Sequence, residues 1–158
     1  MQVCVVGATG TIGRATVAAL VARGYAVTCL LRRSDAKLSA QTSVIEADVA
    51  SPAALTAVFA QGRFDAIVSC LASRTGVPAD AWAIDHRANL NVLEAAQRSG
   101  VQHFILLSAI CVQKPLLAFQ HAKLAFESAL AASSIRYSIV RLRGDNYDGR
   151  LSGDYDGR

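Results

Sequence analysis

A chain of 158 residues, 53% of them hydrophobic, can bury one sizeable core and is too apolar for a disordered segment, so one globular domain is expected. Its apolar runs fall well short of the roughly 20 residues that span a bilayer, and the first strand begins at residue 2 with no room for a signal or transit peptide, so no transmembrane segment and a cytoplasmic location are expected. The formal net charge of +4 is modest and the basic residues are dispersed without interleaved aromatics, which argues against nucleic acid as a partner.

Residues 3–6 are a continuous apolar run, followed by a Gly-rich turn and by Ala15, Ala18, Ala19 and Ala22 with Val17, Leu20 and Val21 at helical spacing; strand, turn and helix are predicted. Gly24 closes that helix and residues 26–31 supply a second buried strand. A third strand is predicted at 43–46. Ser51 then caps a helix with Pro52 at its first position, ending near Ala60 ahead of Gly62. Residues 65–69 form the fourth strand, and 79–99 a long helix with Ile84, Ala88, Val92 and Ala95 on one face, stopped by Gly100. The fifth strand is 103–107, the next helix 116–132, the sixth strand 137–140. Such alternation forces parallel pairing through right-handed crossovers, and continuous apolar strands mean a sheet covered on both faces. The expected fold is α/β, a doubly wound parallel sheet of Rossmann type over residues 1–141, with about six strands in the order 3-2-1-4-5-6.

Residues 142–158 read LRGDNYDGRLSGDYDGR, a near repeat without a periodic apolar face, expected as an irregular tail that adds nothing to the core. Its oxygen-bearing residues lack the alternate spacing and terminal Glu of a calcium loop. Cys4, Cys29, Cys70 and Cys111 are far apart, without CxxC spacing, and lie in or beside predicted strands, as reduced core thiols would. His86, His103 and His121 are scattered, so no metal site is expected.

Gly7-Ala8-Thr9-Gly10-Thr11-Ile12-Gly13 follows the first strand and opens the first helix, the context that makes a glycine motif meaningful. Gly7 permits the tight turn, Gly10 lets backbone amides approach a diphosphate, Gly13 allows close helix-to-strand packing, and the helix N-terminus offers its positive end. The motif predicts a dinucleotide-binding turn. An NAD-preferring site would place an acid about 20 residues later, yet the second strand runs into Arg32-Arg33. A guanidinium there pairs with a 2′-phosphate, so NADPH is the expected cofactor; the alternative is that these arginines solvate a loop, with Asp35 close by. Asp48-Val49 falls where an adenine ring would rest, although a lone acid proves nothing. Cys70-Leu71-Ala72-Ser73-Arg74 follows the fourth strand, at the carboxyl edge, and would face the ribose and nicotinamide.

Ser108 ends the fifth strand, and Phe119 and Lys123 lie one helical turn apart on a common face. This resembles the Ser, Tyr-x-x-x-Lys arrangement of short-chain dehydrogenases, with Phe in the Tyr position. A phenyl ring has no proton to give, so carbonyl reduction by that route is excluded, while a ribose-holding role for Lys123 survives; the alternative is a solvated lysine. His121 points away from that face. Trp82 either stacks on a flat substrate or packs within the protein.

The stretches IVSCLASR (67–74), FILLSAICVQKPLLAFQ (104–120) and AKLAFE (122–127) closely resemble the NADPH-dependent divinyl chlorophyllide a 8-vinyl reductases, atypical short-chain dehydrogenases of chlorophyll and bacteriochlorophyll synthesis. The likeness runs from the glycine loop to about Arg141 and accommodates Phe119, since that family reduces a vinyl group and not a ketone. It implies hydride transfer from NADPH to the 8-vinyl group of divinyl chlorophyllide or protochlorophyllide, the macrocycle carrying the developing charge and the proton coming from solvent or an unidentified residue. Ser108 and Lys123 are then the active-centre candidates, Lys123 acting on cofactor geometry. Members of that family are longer, with Pro soon after the sixth strand and a further segment closing the pocket, whereas this chain has Arg141-Leu142-Arg143 and the repetitive tail. A truncated, inactive form is therefore one expectation, and a non-catalytic NADP(H)-binding or redox-sensing module another.

Overall fold

A computed structural model describes residues 1–33, 38, 40–110, 112, 114–141 and 154–157. Cys111, Asp35 and residues 142–153 lie outside these. The elements run β1 (Gln2–Val6), α1 (Thr11–Ala22), β2 (Ala26–Leu31), β3 (Thr42–Glu46), α2 (Pro52–Gln61), β4 (Ala66–Ser69), α3 (Pro78–Ala81), a π-helical stretch (Trp82–Ala88), α4 (Asn89–Arg98), β5 (His103–Leu107), α5 (Ala118–Ala131), β6 (Arg136–Arg141) and β7 (Asp154–Gly157). The strands form one sheet in the order β3-β2-β1-β4-β5-β6-β7. The expected order of parallel strands is present, and β7 is an addition to it: it pairs antiparallel with β6, Arg141 opposite Asp154. Part of the stretch expected to be irregular is thus a strand, because an edge ladder needs only backbone donors and acceptors and no apolar face.

The parallel strands lie in nearly flush register, Val6 beside Leu30 and Ser69, Ser69 beside Leu106, Leu106 beside Ile139. Their carboxyl ends therefore share one edge. Side chains alternate across the sheet as the pleat requires. Val3, Val5, Val27, Cys29 and Leu31 form one cluster with Val17, Leu20 and Val21 of α1. Cys4, Val6, Leu30, Ile67, Phe104 and Leu106 form the other, covered by α2, α4 and α5. Both faces are covered, as the apolar strands demand, but unequally, since helical side chains in the first cluster come from α1 alone. β3 lies at the sheet's edge and is the least covered of the parallel strands, with Val44 40% exposed.

Local signals account for most boundaries. Ser51 Oγ accepts the Ala54 N–H ahead of Pro52, as a cap should. Gly24 follows α1 at φ +76°, and its N–H reaches Val21 O, the left-handed step that glycine takes without strain. Phe126 fixes α5 against β5 through Phe104, ring centroids 5.7 Å apart and both rings buried, a contact worth about 0.5–1.5 kcal/mol beyond area burial. The helix predicted over 79–99 is interrupted by the π turn, and Ile84, expected on the inward face, is only half-buried while Asp85 and Asn89 point inward. Cys4, Cys29 and Cys70 are free thiols, and burial pushes Cys4 up to about 12. No helix among the described residues is long and apolar enough to cross a membrane.

Candidate functional site

β1 delivers the chain into the glycine turn at the point where strand order reverses, between β1 and β4. Open α/β sheets bind ligands in that crevice. Gly7 sits at φ +77°, and a Cβ there would lie 2.5 Å from the Cys70 carbonyl carbon. The turn and the loop after β4 are in backbone contact, which only glycine at position 7 permits. A Cβ on Gly13 would meet Gly7 O at 2.2 Å, so the helix starts directly on the turn. Gly10 is different: its added Cβ would find Gly7 O at an ordinary 3.6 Å, and its φ of −70° suits any residue. Gly10 is the N-cap of α1 and no side-chain cap bonds the first turn, which leaves the amides of Thr11, Ile12 and Gly13 at the positive end of a helix. Thr9 is half-buried, its carbonyl accepting from Arg14 Nε at 3.1 Å.

The remaining cofactor candidates follow along the same edge. Arg32 and Arg33 are exposed immediately after β2. Asp48 is exposed after β3 and its Oδ1 accepts the Ala50 N–H at 2.9 Å, an Asx turn that leads into α2. Val49 packs against the larger core cluster, and its carbonyl accepts from Asn91 Nδ2 at 3.1 Å. Beyond β4, Cys70 Sγ lies 3.8 Å from Thr16 Oγ1, the Leu71 carbonyl accepts from Lys123 Nζ at 2.5 Å, and Ala72 is exposed. Burial raises the Cys70 thiol above its ordinary range, opposed by the Thr16 hydroxyl and the Lys123 charge.

α5 carries two buried charges one turn apart. Lys123, 3% exposed, lies 3.3 Å from Asp85 Oδ1; burial lowers its pKa, and Asp85 opposes the shift. Glu127, 6% exposed, accepts the Ser108 hydroxyl through Oε1 and the Arg141 guanidinium through Oε2 at 2.5 Å. Ser108 is thus tied through Glu127 to the helix that carries Lys123. Phe119 is half-buried in the first turn of α5, and His121 is exposed. Gln120 pins the preceding loop, donating to Ile110 O and accepting from the Leu116 and Leu117 amides. Trp82 is 45% exposed, with its ring edge-on to His86 at 5.4 Å; core packing does not describe it.

Asp85, Asn89, Glu127 and Arg141 escaped the sequence reading. The available signal was polar residues at inward positions of amphipathic helices, which must find partners, and the opposite charges four residues apart on α5.

A family model described as NAD(P)H-binding matches residues 7–155. Over 156 residues the chain is 48% identical to the divinyl chlorophyllide a 8-vinyl-reductase, chloroplastic, of Zea mays, covering 88% of this chain and 39% of that protein. The photosystem II assembly factor Ycf39 of Synechocystis is 28% identical over 148 residues, with 91% and 45% covered. The solved UDP-Glc/GlcNAc 4-epimerase of Campylobacter jejuni superimposes with a TM-score of 0.81 at 20% identity, over 89% of this chain and 53% of that one, a likeness of fold. The chain spans about two fifths of the length of the vinyl-reductase relative.

Proposed function

This chain belongs to the NAD(P)H-binding family, and from that premise we propose that it binds NADPH for reduction of the 8-vinyl group of divinyl chlorophyllide or protochlorophyllide. The observation that carries the cofactor reading is the order of candidate groups along the carboxyl edge. Asp48 after β3, Arg32 and Arg33 after β2, the glycine turn after β1, Cys70 to Ala72 after β4 and Ser108 after β5 follow the spatial strand order. With strands about 4.8 Å apart this is a row of roughly 19 Å, its anion-binding helix end in the middle, as an extended dinucleotide requires.

In this reading the amides of Thr11, Ile12 and Gly13 bind the diphosphate, Arg32 and Arg33 the 2′-phosphate, and Asp48 and Val49 the adenine. Lys123, with Cys70, Leu71 and Ala72, frames the nicotinamide ribose. Two of the Lys123 N–H donors go to Leu71 O and Asp85, leaving a third for a ligand. NADPH, when bound, supplies the hydride. Ser108 is the active-centre candidate facing substrate. Its single proton is directed to Glu127, so it offers lone pairs, and Phe119 has no proton to offer. The proton that completes the ethyl group therefore comes from neither Ser108 nor Phe119. The substrate assignment rests on the vinyl-reductase relative, with residues 1–141 as the cofactor-binding unit and a cytoplasmic location to be tested by cell fractionation.

Purified protein supplied with divinyl chlorophyllide and NADPH should show the absorption change of vinyl reduction. No turnover at high protein concentration refutes the activity. The likeness to Ycf39 and the missing tyrosine favour a second reading, a binding module without catalysis, which predicts NADPH-dependent thermal stabilisation without turnover.

A further inference from the structure

Asp85 is 1% exposed, and a buried carboxylate is costly unless it is both paired and hydrogen-bonded. Each of its oxygens has a partner at the ligand edge. Oδ1 lies 3.3 Å from Lys123 Nζ, and Oδ2 accepts the Ser73 N–H at 3.2 Å. Lys123 in turn donates to Leu71 O at 2.5 Å. The contacts close a ring in which both backbone groups, Leu71 O and Ser73 N–H, belong to the loop following β4.

The helix around Asp85 is adapted to this position. Its π-helical stretch departs from α geometry in the way frequently found at functional sites. Asn89 secures the stretch: Nδ2 donates to Ile84 O at 3.3 Å and Asp85 O at 3.0 Å, while Oδ1 accepts the Ser69 hydroxyl at 2.6 Å. The segment carrying Asp85 is thereby fastened to the end of β4. Stability alone does not call for such an arrangement, since replacing a buried ion pair by apolar residues of similar volume is often neutral or better.

We propose that Asp85 is a positioning residue that holds Lys123 and the backbone of residues 71–73 as one unit against the nicotinamide ribose. The inference rests on the cofactor role given to Lys123 above. It requires Asp85 to matter for the nicotinamide half of NADPH and not for the adenosine half, which meets the glycine turn and the arginines. The Asp85 carboxylate also favours the charged form of Lys123 against its burial.

The test measures dissociation constants of NADPH and of adenosine 2′,5′-bisphosphate, a fragment without the nicotinamide half, by calorimetry. Binding of both to the unmodified protein checks the cofactor reading independently; if neither binds, that reading fails first. In Asp85→Asn, NADPH should weaken about tenfold or more while the fragment changes by less than about twofold. Asp85→Glu, which keeps the charge, should hold the ratio of the two affinities within about threefold of the unmodified protein. If Asp85→Asn does not fold, Asp85→Ser replaces it, and its ratio must fall by about tenfold or more. A parallel loss for both ligands, an unchanged ratio, or an Asp85→Glu loss equal to that of Asp85→Asn overturns the proposal.

Discussion

Gly10 and Gly13 are both glycines of the same turn, yet the structure separates what they are for. Ala at 13 would place Cβ 2.2 Å from Gly7 O, more than 1 Å inside the 3.4 Å at which ordinary contact begins. The opposing atom is backbone, so the start of α1 must move. Against backbone, overpacking falls in the upper part of its range, about 2–3 kcal/mol, and the better helix propensity of Ala returns about 1 kcal/mol. The net loss, about 1–2 kcal/mol, lowers the melting temperature by about 2–8 °C for a domain of this size. Ala at 10 meets Gly7 O at 3.6 Å, with a compatible backbone, and should cost no more than about 1 kcal/mol, the poorer N-capping of Ala relative to Gly. Its Cβ obstructs whatever approaches the first-turn amides, so NADPH affinity should fall about tenfold or more, the value of one charge-assisted hydrogen bond. Urea unfolding and NADPH titration of the two variants decide the matter. Equal stabilities for Gly10→Ala and Gly13→Ala, or full NADPH affinity in Gly10→Ala, would refute the reasoning.

Arg32→Ala should weaken NADPH by about ten- to a hundredfold, the range of a lost charged hydrogen-bond pair, and NADH little; equal losses remove the 2′-phosphate assignment. Lys123→Met leaves the Asp85 carboxylate buried without its cation and should cost about 3–5 kcal/mol of stability, most of it regained when Asp85→Asn is added, as a double-mutant cycle in urea will show. His103, with Nε2 3.0 Å from Ser138 Oγ, is held below the ordinary value of 6.5 by burial and then by Arg136. The unfolded chain therefore binds more protons just below that value, so stability rises with pH through this window and is lost on acidification. Melting temperatures from about pH 7 to about pH 5 should fall less steeply in His103→Gln; an unchanged slope counts against this.

The fold was legible because its signals are local and repeated. Ser51 with Pro52, Gly24, and the apolar runs of β1, β2 and β4 each specify an element without reference to the rest of the chain. The glycine turn was legible for the same reason, since strand, turn and helix N-terminus are consecutive. What escaped depended on distant partners. Nothing near Asp85 in sequence announces Lys123, nor does Ser108 announce Glu127: the first pair exists only once α5 is laid beside the helix that follows β4, the second only once α5 returns past the end of β5. The π turn was hidden similarly: hydrophobic spacing over 79–99 fits an unbroken helix, and only the contacts of Asn89 with Ile84 O, Asp85 O and Ser69 reveal why it opens. β7 gave no pattern because an edge strand is recruited by an available ladder.

Cys4 and Cys29 occupy neighbouring strands but belong to opposite clusters, one beneath α2, α4 and α5, the other beneath α1. Each layer of the domain thus carries its own chemical clock. In a background where Cys70 and Cys111 are serine, an alkylating reagent reaches Cys29 when the α1 layer lifts and Cys4 when the opposite layer does. The two labelling rates would report whether the layers detach together or in sequence, through thiols the sequence already places in each layer.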